Sequence, residues 1–258
     1  MKVFKIILTT IMVFVFIVGL AIWGYPHIYG AIMDSQMRQE AEDFLDRIGT
    51  TSEDAAAATE PPATEPDLVT EPTELATKEY EVLWNEMVAY NTEIWNEKQS
   101  GLSDPWSYEQ PSFKLGDYGL QNEVFGVISI PKLDLELPLF LGASNRHMAD
   151  GAAILSQTSI PIGGINTNSV IAGHRGYNGA AYFRYITSLE PGDKVYVTNL
   201  WETLTYVVVD TKIINPNDVE EILIQEGKDM ITLLTCHPYA SGGKQRFLIF
   251  CDRVIEEQ

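Results

Sequence analysis

Between Val124 and Cys251 the chain is cut into short apolar runs, each stopped by a turn. Val124-Phe125-Gly126-Val127-Ile128-Ser129-Ile130 ends at Pro131, and Leu133, Leu135 and Leu137 then alternate with Asp134 and Glu136. Further runs cover 169–172, 194–198, 203–210, 230–235 and 246–251. Gly163-Gly164, Pro191-Gly192-Asp193, Asn215-Pro216-Asn217 and Ser241-Gly242-Gly243 separate them. Strands of this length and spacing predict a closed or nearly closed β-barrel. Short helices fit at 180–186 and 218–225. The last two runs form a hairpin, which sets Cys236 opposite Arg246.

The N-terminal half is organised differently. Lys2 and Lys5 precede a charge-free run, Ile6 to Trp23. As a helix it spans roughly 27 Å, close to the hydrocarbon thickness of a bilayer. The run reads as an uncleaved anchor, with a cleaved signal peptide as the rival. The two lysines favour a cytoplasmic N-terminus, which leaves the remainder outside the cell. Residues 28–48 carry a partial helical stripe, Ile32, Met37, Ala41, Phe44, Leu45 and Ile48, that extends the anchor as a stalk. Residues 50–77 are Thr, Glu, Ala and Pro with seven acids and no base, a composition that reads as an extended tether. Residues 79–97 form a second helix, whose apolar face (Tyr80, Leu83, Trp84, Met87, Val88, Ile94) packs on the domain that follows. The expected layout is an anchor at 1–27, stalk and tether at 28–78, a helix and connecting segment at 79–122, and a barrel at 123–258. The formal charge of −19, from 36 acids and 17 bases, argues against a nucleic-acid partner. Much of that excess sits in the tether.

Two cysteines make no disulfide framework. In the hairpin register Cys251 lies about 17 Å from Cys236, at ~3.3 Å per residue, and faces the other side of the sheet. A bridge between them is excluded by distance. Cys236 is therefore a free thiol at a strand end, and a thiol nucleophile needs a base or a lowered pKa. Among four histidines, His27 sits at the membrane edge, His147 in a polar loop, and His237 points away from its neighbour Cys236. His174 ends the apolar strand 169–172 between Gly173 and Gly176, which fits it to reach the thiol. Arg246 is permanently charged and can stabilise a thiolate or an oxyanion. No Asn or Asp stands out to orient His174.

Thr232-Leu233-Leu234-Thr235-Cys236, Arg246 ten residues on, and Ala172-Gly173-His174-Arg175-Gly176 together resemble the sortase family. The segment 128–138, Thr158-Ser159-Ile160-Pro161-Ile162-Gly163-Gly164, Leu189-Glu190-Pro191-Gly192-Asp193 and Cys236-His237-Pro238-Tyr239 extend the resemblance to class C, the pilin-polymerising sortases, over roughly 80–254. The resemblance implies a mainly β fold, an eight-stranded sortase-type barrel preceded by N-terminal helices and a lid loop. It implies Cys236 as nucleophile, His174 as acid/base and Arg246 as oxyanion stabiliser. Thr235 and Tyr239 are candidate substrate contacts, and Asp104, Pro105 and Trp106 form a lid over the site. The implied reaction cleaves a Leu-Pro-x-Thr-Gly-like signal through a thioacyl enzyme and joins it to a pilin lysine. The implied partners are pilin subunits and, through the first helix, the membrane. No cofactor or metal is called for. The remaining alternatives are a sortase that attaches proteins to peptidoglycan, a non-catalytic pilus accessory protein, and a hydrolytic cysteine protease.

Overall fold

A computed structural model describes residues 2–50, 80–102, 110–120 and 122–254. The barrel contains eight strands among these residues: β1 (Val124–Ile130), β2 (Leu135–Leu141), β3 (Ala152–Ile154), β4 (Thr167–Ala172), β5 (Lys194–Thr198), β6 (Thr203–Ile214), β7 (Asp229–His237) and β8 (Gln245–Arg253). It closes in the order β1-β2-β3-β4-β7-β8-β6-β5. Closure removes the free sheet edges that strands this short would otherwise expose. Pairing is antiparallel except for β2 with β3 and β4 with β7. β4 is buried from end to end, and β7 from Met230 to Thr235, as expected of parallel strands covered on both faces. The polar groups inside are satisfied in pairs. Thr232 Oγ1 donates to Asn168 Oδ1 at 2.9 Å, and Asn168 Nδ2 donates to the Ile222 carbonyl at 3.0 Å.

Three α-helices accompany the barrel among the described residues: α1 (Lys2–Ile48), α2 (Glu81–Asn96) and α3 (Asn145–Asp150). α1 is continuous through Pro26. Its first half is exposed, and it is long and apolar enough to cross a membrane. Its second half lies against the barrel, with Met37, Ala41, Phe44 and Leu45 buried in the same core as β1 and β2. Arg38 pairs with Asp134 at 3.4 Å, and Arg47 donates to Asn122 at 2.8 Å. α2 buries Leu83, Met87, Asn91 and Ile94, the face its periodicity selects.

Some local expectations are revised. Residues 180–186 form turns, with a 3-10 turn only at Ile186–Ser188, because the Phe183 N–H goes to the His174 carbonyl and Tyr182 takes a positive φ. The segment 218–225 holds one 3-10 turn, Val219–Ile222. His147 sits in α3 rather than in a loop; Ser144 caps that helix by accepting from the His147 N–H. β3, at three residues, is too short to register as a run.

Asn91 and Tyr90 fasten α2 through polar contacts, the Tyr90 hydroxyl accepting from the Gln157 N–H at 3.1 Å. Asn91 Nδ2 donates to the Ile160 carbonyl at 3.0 Å, and Asn91 Oδ1 accepts from the Ile160 N–H at 2.8 Å. Asn91→Ala strands both groups and is expected to destabilise the domain by about 2–6 kcal/mol, at ~1–3 kcal/mol per stranded group. Val82→Ala, on the exposed face of α2, is the control. Chemical denaturation of the two variants checks this, and equal midpoints would refute the fastening role.

Candidate active site

β7 carries Cys236 next to its end, and both neighbouring strands bring charged or titratable groups to the same rim. On one side β8 pairs antiparallel, with Cys236 directly opposite Arg246. On the other side β4 runs parallel, with Ala172 beside Leu234. The register continues past the strand: the Gly173 N–H donates to the Leu234 carbonyl at 3.0 Å, and Thr235 Oγ1 donates to the Gly173 carbonyl at 2.7 Å. Two residues beyond Ala172, His174 therefore emerges beside Cys236.

Each group is held by its surroundings. The His174 ring stacks on Tyr177, centroids 4.7 Å apart, and meets the edge of Tyr182 at 5.8 Å. Tyr182 is itself pinned by its hydroxyl, which donates to the Ala149 carbonyl at 2.6 Å. Arg246 is buried and donates through Nη1 to the carbonyls of Gly243 and Gln245, at 2.6 and 3.2 Å. Gly243, at φ +77°, crosses over the pair. A Cβ there would lie 3.4 Å from Cys236 Sγ and 3.1 Å from Arg246 Nη1. A side chain at 243 is thus opposed by both backbone conformation and space.

Arg175 is a second cation at this rim. Its Nη1 lies 2.7 Å from His237 Nδ1 and 3.4 Å from the Cys236 carbonyl, and its Nη2 donates to Thr187 at 3.3 Å. His237 is thereby held as an acceptor, and burial together with the Arg175 charge lowers its pKa. Burial also lowers the pKa of His174. Burial pushes the Cys236 thiol up, against the opposing pull of Arg246 and Arg175. Desolvation thus favours the neutral form of both thiol and imidazole, and the two guanidinium groups are placed to favour any negative charge that forms on sulfur.

Of the residues singled out from sequence, Cys236 and Arg246 pair directly and the register brings His174 to the same rim. Thr235 has a different position. It is fully buried and its hydroxyl ties β7 to β4, because adjacent strand residues face opposite sides. Tyr239 is exposed at the rim, with the Arg184 guanidinium 5.5 Å from its ring centroid. Asp104, Pro105 and Trp106 lie outside the described residues. Cys251 is free and buried, opposite Ile231 and far down the hairpin, and its thiol is pushed up by burial. Arg175, Tyr177, Tyr182 and Gly243 were not singled out from sequence. Only Arg175, adjoining His174, carried a signal there.

The Sortase domain family matches residues 128–254, from within β1 to just past β8. The type II crystal structure of Streptococcus agalactiae sortase C1 superposes with a TM-score of 0.64 at 30% identity, covering 72% of this chain and 96% of that one. The chain belongs to the sortase family. Sortase C-1 of Streptococcus pneumoniae is 32% identical, with a TM-score of 0.55 over 67% of this chain and 92% of that one. Among curated relatives, sortase A of Bacillus anthracis is 32% identical over 134 residues, which are 52% of this chain. This sortase spans 61% of the length of that relative and 47% of sortase A from Streptococcus agalactiae. The similar structures include several sortases C, among them the pilus-related sortase C of group B Streptococcus, 31% identical with a TM-score of 0.60.

The geometry makes thiol reactivity a readout of the two cations. Arg175→Gln removes one of the charges that oppose the raised thiol pKa, so the thiolate fraction at mildly alkaline pH falls. Iodoacetamide should then alkylate Cys236 several-fold more slowly than in the parent protein, with Lys212→Gln on β6 as a control. An unchanged alkylation rate would show that Arg175 exerts no field at the sulfur.

Proposed function

We propose that this sortase is a membrane-anchored cysteine transpeptidase that cleaves a Leu-Pro-x-Thr-Gly-like sorting signal and joins the new carboxyl end to a pilin lysine. The observation that carries this reading is the register around β7, with Cys236 opposite Arg246 on one side and His174 at the end of β4 on the other. Cys236 is the nucleophile in this reading, His174 the acid/base, and Arg246 the group that meets the developing oxyanion. The likeness to sortase C1 of a group B Streptococcus pilus island and to a pilus-related sortase C supports a pilus substrate. The apolar α1 supports a single-pass anchor with the barrel outside the cell.

The chemistry follows from the protonation states. A neutral imidazole beside a neutral thiol takes the sulfur's proton as attack begins, so charge separates only when the carbonyl is in place. Sulfur bonds to the carbonyl carbon, and the buried Arg246 guanidinium faces the negative charge on oxygen, where low dielectric strengthens the interaction. As the C–N bond breaks, His174 returns the proton to the leaving amine. The thioester remains until a second amine attacks, His174 takes that amine's proton, and the C–S bond breaks to regenerate the thiol.

The test uses a Leu-Pro-x-Thr-Gly peptide together with a pilin bearing its acceptor lysine. The parent enzyme is expected to form a mass-detectable thioacyl adduct and a ladder of joined pilins. Cys236→Ala and His174→Ala should abolish both, and Arg246→Gln should lower kcat by about 10²–10³, the usual loss for one oxyanion donor. Transfer to an oligoglycine amine alone would replace the pilin acceptor by a wall-peptide amine. Absence of any adduct would overturn the transpeptidase reading.

A further inference from the structure

Strand direction fixes which end of the barrel α1 leaves from. Arg38 meets Asp134, just before β2, and Arg47 meets Asn122, near the start of β1, which pairs with the end of β2. α1 therefore runs in the same direction as β2, and its exposed N-terminal half projects past the start of that strand. β3 is parallel to β2, β4 antiparallel to β3, and β7 parallel to β4. The ends of β4 and β7, with His174 and Cys236, thus lie at the end of the barrel from which α1 projects.

Contact confirms the topology. The backbones of α1 and the turn 177–180 touch: a Cβ on Gly30 would lie 2.3 Å from the Gly179 carbonyl carbon, and one on Gly179 would lie 2.0 Å from the Pro26 oxygen. The Ala181 N–H donates to Asp34 at 3.1 Å. Tyr177, which stacks on His174, belongs to this same turn. Pro26 to Gly30 follow the apolar run by three to seven residues, about 5–10 Å along a helix. A headgroup layer is roughly 5–7 Å thick on each face.

The loops at this end also differ in composition from the rest of the chain. In a sequence with net charge −19, two of the loops at this end, 174–189 and 235–247, contain no acid and carry Arg175, Arg184 and Lys244 beside the buried Arg246. Tyr177, Tyr185 and Tyr239 are 44%, 58% and 54% exposed there. The Arg175–His237 contact and the Arg184–Tyr239 contact join the two loops into one collar. Among the described acids at this end, Asp34 accepts from the Ala181 N–H, Asp134 faces Arg38, Asp150 faces Arg146, Asp193 and Glu190 face Lys132, Asp218 accepts from Asn215, and Glu136 is half-buried beside Tyr182 and Tyr185. Exposed tyrosines with Arg184 and Lys244 on acid-free loops suit an interfacial surface against anionic lipid.

We propose that this collar rests on the anionic headgroups of the membrane that holds α1, so that the Cys236 mouth opens at the bilayer surface and takes substrate presented there. The proposal rests on α1 being a membrane anchor. Its test is positional. The full chain is labelled with bimane at Cys236, Cys251 being buried, and placed in vesicles carrying headgroup-nitroxide lipid. The reference is Ile165→Cys in a Cys236→Ser background; Ile165 is exposed ahead of β4, at the opposite end. Bimane at 236 should be quenched several-fold more than at 165. Adding phosphatidylglycerol to phosphatidylcholine should deepen the difference, and Arg184→Gln with Lys244→Gln should reverse that deepening. Equal or inverted quenching in protein that floats with the vesicles overturns the proposal and leaves the transpeptidase reading intact, since labelling needs no turnover. Protein that does not float overturns the proposal together with the anchor.

Discussion

The site depends on the backbone register of β7. Hydrogen bonding to β8 sets Cys236 against Arg246, and hydrogen bonding to β4 carries His174 to the same rim. A slip of one residue on either side would turn a functional side chain to the opposite face. The register is held by interior groups that fit only one alignment. Thr232 meets Asn168, and Thr235 meets the Gly173 carbonyl, both across the β4–β7 seam. Stability and placement are therefore the same set of contacts at this seam. A polar pair that satisfies itself in the core also specifies which residues share the rim.

The electrostatics of the rim show two opposing influences. Burial disfavours charge on sulfur and on imidazole alike, while two guanidinium groups favour charge on sulfur. The balance leans thiol and imidazole toward their uncharged forms beside two cations placed for negative charge. Buried cations cost desolvation, which is met here by carbonyl acceptors: Gly243 and Gln245 for Arg246, and Cys236 for Arg175. Seven of the 36 acids lie in residues 50–77 and the rest are spread along the chain. Net charge was thus a poor guide to the site, and the local absence of acids in 174–189 and 235–247 a better one.

How much was legible in the sequence follows from the range of each signal. The ten-residue spacing from Cys236 to Arg246 encodes a hairpin register, because strand pairing is local there. The same count correctly kept Cys251 away from Cys236. His174 was legible as a strand-end residue between glycines, although its two tyrosine neighbours were not. Tyr177 and Tyr182 reach it through a turn with positive-φ backbone, which no periodicity describes. Thr235 takes the face opposite Cys236, as the two-residue parity of β7 dictates, and its hydroxyl is used on the Gly173 carbonyl. In the N-terminal helix, Met37, Ala41, Phe44 and Leu45 were visible as a stripe, but a stripe does not name its partner, and that partner is the barrel itself.

That last point changes what the first helix is. A helix that only tethers can leave its domain at any angle, whereas α1 is part of the core over its second half and is clamped at Gly30 against Gly179. Burying a side chain such as Phe44 contributes about 1.5–3 kcal/mol, so several of them bind the helix to the barrel as firmly as a strand would. Orientation is then a property of folding: the residues that complete the core also decide which rim faces the direction of the anchor. The turn that receives α1 is the one whose Tyr177 supports His174, which links the geometry of the imidazole to the seating of the helix. A loosened α1 would therefore disturb both where the site points and how its base is held, through a single backbone contact.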